Sequence, residues 1–272
     1  MVDHQLTDDK GGSVLLGSEV GKGGEGVVFN VQGSPALVAK VYFKPLSRDK
    51  ADKIAVMASI GTERIRKLSA WPIGLLRSTK GTPAGFLMPK VASHRPIFEL
   101  YGPKLRLQRF PRADWRFLIH AAANTARAFA AIHEAGHVVG DVNHGNLVVA
   151  QDATVRFIDT DSFQITANGR RWLCEVGVDT HLPPELQGRT SFQGVVRTAN
   201  HDNFGLAVLI FQILCMARHP FSGRFLGSGE PPDIPKAITE FRYAYAKDNH
   251  SNDSAAGEPT YVGSHAAHRR QL

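Results

Sequence analysis

Cysteine is scarce: the 272 residues hold only Cys174 and Cys215. Two thiols without CxxC spacing or a suitably spaced histidine exclude a disulfide-stapled fold and a structural zinc site. They read as reduced, partly buried side chains. No stretch approaches the roughly 18 consecutive apolar residues that cross a bilayer, and the opening MVDHQLTDDKGG lacks a basic segment followed by an apolar one. The expectation is a cytoplasmic chain with no membrane partner. Concentrated basic charge is missing as well. The formal charge is +7, but the positives are scattered, and the densest segment, Lys104 to Arg112, is interleaved with Leu, Phe and Pro. That pattern argues against nucleic acid as a partner.

What is present is ample material for a core, with 43% hydrophobic residues,. Residues 13 to 43 contain "SVLLGSEV", "GVVFNVQG" and "ALVAKVYF", short β-branched runs separated by glycine turns, which predict three strands in meander order. The segment "SRDKADKIAVMASIGTERIRKLSAW" predicts one helix or two, with Gly61 as a possible break. "IGLLRST" and "PAGFLMPKV" predict two more strands. "RADWRFLIHAAANTARAFAAIHEAG" carries apolar residues at helical spacing and ends at a glycine, and "HDNFGLAVLIFQILCMA" is apolar all round, as expected of a buried helix. "PKAITEFRYAYA" reads as a last helix. The layout is α+β: a β-rich lobe over residues 13–91, a linker near 89–112, a mainly helical lobe over 92–247, and a polar tail, 248–272, expected to be disordered.

Several short motifs carry chemistry. "VGKGGEGVV" fits G-x-G-x-x-G-x-V at Gly21, Gly23, Gly26 and Val28, and Gly26 leads into a strand rather than a helix. Such a hairpin brings backbone amides close over a triphosphate, whereas a dinucleotide fold would open a helix here. Lys40 stands alone among apolar residues on a predicted strand, where an ammonium needs a partner. It reads either as an outward-facing lysine or as a phosphate-binding one held by a helix carboxylate, with Glu63 the chosen candidate beside Asp49 and Asp52. Asp141 and Asn146 have D-x-x-x-x-N spacing, and Asp159 ends an apolar run in "FIDTD". Asn146 and Asp159 offer the hard oxygens that Mg2+ prefers, with Asp141 placed to receive a hydroxyl proton. Glu185 in "LPPEL" and Asp202 at the start of the buried helix follow in order.

This ordered set resembles a eukaryotic-type Ser/Thr protein kinase domain of the divergent bacterial branch, over residues 15 to about 225. Within that branch, "ELYGP", "FPRADWRFL", "GDVNHGN" and "CEVGV" resemble a kinase-like group sometimes joined to helix-hairpin-helix segments. The resemblance implies a bilobal protein-kinase-like fold and the cofactors ATP and Mg2+. It implies Gly21, Gly23, Gly26 and Val28 over the phosphates, Lys40 as the strand-three lysine, and Asp141 as the catalytic aspartate. Met88 would be the gatekeeper, and Pro89, Lys90 and Val91 the hinge that receives adenine. Asn146 and Asp159 would be the metal ligands. It also implies, among partners, a phosphatase and a von Willebrand-type protein; the protein substrate stays unidentified. The alternative is a nucleotide-binding pseudokinase that acts as a regulatory module.

Three motifs depart from the family pattern. H-R-D reads Val139-Gly140-Asp141. The lysine two residues past the catalytic aspartate is Asn143, which enters the catalytic set in its place, with His144 available as a substitute cation. D-F-G reads Asp159-Thr160-Asp161, and the Asp161 carboxylate is expected to cap the loop or join the metal, the cap being favoured. Without an arginine ahead of Asp141, phosphorylation of the segment from Asp159 to Glu185 recruits no cation. Phosphatase-treated and untreated protein should therefore transfer phosphate at equal rates, and a large loss after treatment would contradict this.

Overall fold

The computed structural model describes residues 5–246 and the short strand Asp253–Ser254. It begins with β1 (Gln5–Thr7), β2 (Ser13–Lys22), β3 (Gly26–Val31) and β4 (Ser34–Tyr42), followed by helices α1 (Arg48–Ile60) and α2 (Glu63–Leu68) and strands β5 (Gly74–Ser78) and β6 (Pro83–Pro89). The six strands close into an antiparallel barrel in the order β1-β2-β3-β4-β6-β5. β1 seals it by pairing Leu6 with both Val14 and Ser78, so the lobe starts at residue 5 rather than 13. The predicted helix divides in two at Gly61. A Cβ there would lie 2.7 Å from the Trp71 ring, so only glycine lets the chain pass.

Strand alternation decides which side chains reach the cleft. On β3 and β4, Val27, Phe29, Ala39 and Val41 fill the barrel, while Val38 packs on the opposite face with Ile54 of α1 and with Phe86 and Met88 of β6. Lys40, two residues on from Val38 and paired in register with Val28 and Phe86, shares that face by the period of two,. The lone cation in an apolar strand is thus directed between the lobes.

The larger lobe is built on α5 (Trp115–Glu134) and α6 (Ala199–Leu214). α5 starts on an Asp114 side-chain cap and buries Leu118, Ala121, Ala122, Thr125, Phe129 and Ile132 along one stripe,. The expected linker is itself folded: β7 (His94–Pro96) leads into α3 (Ile97–Tyr101) and α4 (Pro103–Arg109), with Ile97 and Leu100 fully buried. β7 pairs with β8 (Leu147–Ala150), and β8 with β9 (Val155–Phe157), framing the loop that carries Asp141 and Asn146. Beyond Asp159 the chain forms a hairpin, β10 (Ile165–Ala167) and β11 (Arg170–Trp172), turning on Asn168 and Gly169, both at positive φ,. The last predicted helix shortens to α7 (Ile234–Thr239). Asp253–Ser254 pairs with Arg224–Phe225, and the rest of the tail expected to be disordered lies outside the described residues.

The two lobes share one core. Met57, Ile65 and Trp71 from the helical layer of the first lobe join Phe129, Leu147, Phe157 and Phe163 of the second. Phe157 is fully buried, with ring centroids 5.0 Å from Phe129 and 5.3 Å from Phe163. Its carbonyl accepts from the Ala70 N–H at 2.8 Å, two residues ahead of Asp159. Phe157→Ala should cost about 3–5 kcal/mol of stability in chemical denaturation. A loss below about 1 kcal/mol would mean that the lobes are not joined through this ring.

Candidate active site

The glycine hairpin between β2 and β3, the end of β6, the loop before β8 and the segment after β9 enclose a cleft of about 510 Å³. Gly21, Gly23, Gly26, Val28, Lys40, Met88, Lys90, Val91, Asn146 and Asp159 all line it, as does Asp161. The glycines serve two purposes. Gly21 and Gly23 leave open space beneath the hairpin, while a Cβ on Gly26 would lie 2.4 Å from the Val41 carbonyl. The hairpin is closed by a Gly23 N–H bond to the Gly26 carbonyl at 2.9 Å. At the other end of the cleft, Lys90 donates its backbone N–H to Ala36 and its ammonium to Asn30 Oδ1 at 2.8 Å.

Lys40 is buried and its Nζ contacts two carboxylates, Asp159 and, at 2.8 Å, Asp161. Burial alone would lower the pKa of this ammonium, but Asp161 and then Asp159 outweigh it and hold the pKa above the ordinary lysine value,. Asp161 is almost fully buried. Burial would raise its pKa, yet Lys40 and the Tyr42 hydroxyl hold it below the ordinary carboxylate value. Asp159 is pushed upward, first by burial and then by the charge of Asp161. Two carboxylates therefore share the Lys40 ammonium, and Lys50 stands 3.7 Å from the second oxygen of Asp161.

Asp141 lies in an adjoining cavity of about 730 Å³, which it shares with Asp159 and Asp161. Its loop is held rigidly from below. Asp202, buried at the start of α6, accepts the backbone N–H groups of Val139 at 2.7 Å and Gly140 at 2.8 Å, together with His133 Nε2 at 2.8 Å. Asn146 donates from Nδ2 to the Asp141 carboxylate at 2.9 Å and to its carbonyl at 3.0 Å, which leaves the Asn146 amide oxygen to act as a ligand. Asn146 and Asp159 thus present one amide oxygen and one carboxylate to the same cleft, a donor set that suits a hard dication completed by phosphate and water,. Among the described residues no group of three or more His, Cys, Asp or Glu side chains could hold a metal by itself.

Other expectations are corrected. Glu63 does not meet Lys40. It is exposed at the N-terminus of α2, 2.7 Å from Lys67 one turn on, because this end of the helix faces solvent. Asn143 does not line either cavity. Its amide donates to the Asp141 carbonyl and accepts from Gly145 N–H at 2.7 Å, so it braces the loop. His144 is not a substitute cation: it stacks edge-on with Phe98, Tyr101 and His181, and burial lowers its pKa. Asp161 does not cap the loop, since both carboxylate oxygens are engaged by Lys40 and Tyr42. Glu185 stands 3.6 Å from His201.

Arg197 was not singled out by sequence reasoning. It is 2% exposed, bonds the Gly140 carbonyl at 3.3 Å and the Val176 carbonyl at 3.2 Å, and lies over the Phe192 ring. It ties the Asp141 loop to the segment before Glu185. Gly140, in the position that the family gives to arginine, has φ +73°, and a Cβ there would meet Cys174 at 2.6 Å. Both cysteines are free thiols, Cys174 buried and Cys215 half-buried.

A barrel-based lobe and a helical lobe meeting over a glycine hairpin, a buried lysine and a D-x-x-x-x-N loop define a protein-kinase-like domain. The chain is such a domain, of the divergent bacterial type. It is 49% identical over 235 residues to protein kinase YegI of Escherichia coli strain K12, and 48% identical over 240 residues to protein kinase YegI of Escherichia coli O157:H7. These matches take in 86% and 88% of the chain but only 36% and 37% of the relatives, so the chain spans about a third of the length of those proteins. Among solved structures it is similar in fold to the ROP18 kinase domain in complex with AMP-PNP and sucrose. The TM-score is 0.56 and the identity 14%, over 80% of this chain and 69% of that one. It is also similar to the kinase domain of a Toxoplasma gondii specific rhoptry antigen, with TM-score 0.58 and identity 15%, over 99% of this chain and 87% of that one. No family model matches the chain.

The hold of Asp202 on the loop gives a direct test. Asp202→Ala leaves two buried backbone N–H groups without an acceptor and should cost about 1–3 kcal/mol for each, read by urea denaturation. A variant as stable as the parent would show that the loop does not depend on this carboxylate.

Proposed function

We propose that this domain transfers the γ-phosphoryl group of ATP to Ser or Thr hydroxyls of a protein, with Mg2+ as cofactor. The observation that carries the reading is the meeting in one cleft of the glycine hairpin, Lys40, Asn146 and Asp159. Adenine would lie against Val28, Val38, Met88 and Ile158, which form the apolar end of the cleft. Pro89 has no N–H and that of Lys90 is bound to Ala36, so Val91 is the hinge donor in this reading,. Backbone amides of the hairpin and the Lys40 ammonium would hold the phosphates. When bound, Mg2+ would neutralise phosphate charge between Asn146 and Asp159.

Asp141 is the group suited to accept the hydroxyl proton. Its carboxylate is oriented by Asn146, its backbone is fixed through Asp202, and it lines the cavity next to the phosphate end of the cleft,. Arg197 supports activity independent of segment phosphorylation, because it links the Gly140 and Val176 carbonyls without a phosphate. Asn143 in place of a lysine removes one cation from the transfer site and supports a slow enzyme. The second reading, a nucleotide-binding regulatory module, is favoured by that same loss and by the contact of Lys40 with Asp159. A location in the cytoplasm and partnership with a phosphatase and a von Willebrand-type protein belong to the same proposal. Among the described residues no helix is long and apolar enough to cross a membrane.

Radiolabelled ATP and a generic acceptor protein test the chemistry. Asp141→Asn should lower transfer by about 10²–10⁴-fold, the range for losing a positioned base, while nucleotide affinity stays close to that of the parent. Equal labelling by variant and parent would refute the kinase reading. A parent that is thermally stabilised by ATP but labels nothing would favour the regulatory module.

A further inference from the structure

The carboxylate that anchors Lys40 does not come from the helical layer. α1 and α2 carry three acids between them, and each is engaged elsewhere. Asp49 is paired with Arg170 of the β10–β11 hairpin, Asp52 stands 3.8 Å from the same arginine, and Glu63 is on Lys67. The inner face of α1 presents cations instead. Lys53 is buried and donates to the Asp161 carbonyl at 2.8 Å, and Lys50 lies 3.7 Å from the Asp161 carboxylate while holding Glu25 of the glycine hairpin at 2.6 Å.

We infer that Asp161 is the positioning residue for Lys40, so that the loop that supplies the metal ligand also supplies the lysine's permanent counter-ion and the helix contributes lysines in its place. This rests on the reading of the cleft as a nucleotide site. The two carboxylates on Lys40 are not equivalent. The Asp159 side chain is 48% exposed and faces the mouth of the cleft, where a dication would draw it away. That of Asp161 is 2% exposed, with its second oxygen fixed by the Tyr42 hydroxyl and its backbone by Lys53. An aspartate at this position is therefore the feature that lets α1 dispense with an acid on its inner face, and the geometry couples α1 to Lys40 through the backbone and side chain of one residue.

Binding of a fluorescent non-hydrolysable ATP analogue with Mg2+, and of adenosine, would be measured for the parent, Lys40→Ala, Asp161→Asn and the double variant. Asp161→Asn should weaken the analogue roughly tenfold or more, and the double variant should bind no more weakly than Lys40→Ala alone, because a residue acting through Lys40 has no effect once Lys40 is gone. Adenosine affinity should stay at the parental value in all four proteins, which verifies that each is folded. Tyr42→Phe gives a gentler second variant, with a smaller loss that also vanishes in the Lys40→Ala background. Additive losses would make Asp161 a phosphate or metal contact in its own right and overturn the inference, as would unchanged binding by Asp161→Asn. A parent that binds no analogue would instead overturn the reading of the cleft, and this inference with it.

Discussion

A lysine ammonium taken out of water must be compensated, and in this molecule the compensation of Lys40 organises everything around it. Strand alternation directs Lys40 inward. Once there it needs negative charge within contact distance, because a buried cation without a partner is prohibitively costly. The chain meets that need with Asp159 and Asp161, two residues of one tight loop that begins in the left-handed region at Asp159. The loop itself is fixed to the first lobe through Ala70, whose N–H bonds Phe157 and whose carbonyl accepts the Thr160 hydroxyl at 3.0 Å. The position of the lysine, the relation of the lobes and the position of the metal-suited carboxylate are thus set by one small group of contacts.

The second fixed point is the loop that carries Asp141 and Asn146. Asp202 holds it from beneath, and Arg197 links it to the following segment through carbonyl oxygens. Both supports are buried and internal. Both form without an added charge, and the residue ahead of Asp141 is Gly140 rather than arginine. The hairpin β10–β11 adds a lateral tether, since Arg170 pairs with Asp49 at the start of α1. The same pair draws that acid away from the cleft.

Features whose chemistry is contiguous in the chain were legible in the sequence. The glycine hairpin, the isolated strand lysine, the D-x-x-x-x-N loop and the aspartate just after β9 each announce themselves by local spacing, and so do α5 and α6 by their apolar pattern. Pairings set by tertiary packing were not legible. Nothing local distinguishes Asp49, Asp52 or Glu63 from Asp161 as the partner of Lys40: α2 leaves Glu63 in solvent, and Ile54 and Met57 turn α1 so that Lys53 follows them inward. β1 is too short to show a period, and α3 and α4, broken by Gly102 and Pro103, are shorter than the windows in which helical spacing emerges. The β10–β11 hairpin did carry a signal, Asn168-Gly169, the residue pair that a two-residue turn at positive φ favours,. Arg197 carried none, because its partners Gly140 and Val176 lie far away in sequence.

In the proposed function a triphosphate is held between the glycine hairpin and Lys40 while Asp161 keeps the lysine in place. A crystal structure of the domain with a non-hydrolysable ATP analogue and Mg2+ tests this most directly. The account predicts a phosphate oxygen on Lys40, metal density between Asn146 and Asp159, and an Asp161 carboxylate still on the Lys40 ammonium. An analogue bound outside this cleft, or one bound inside it with Lys40 released from Asp161, would contradict it.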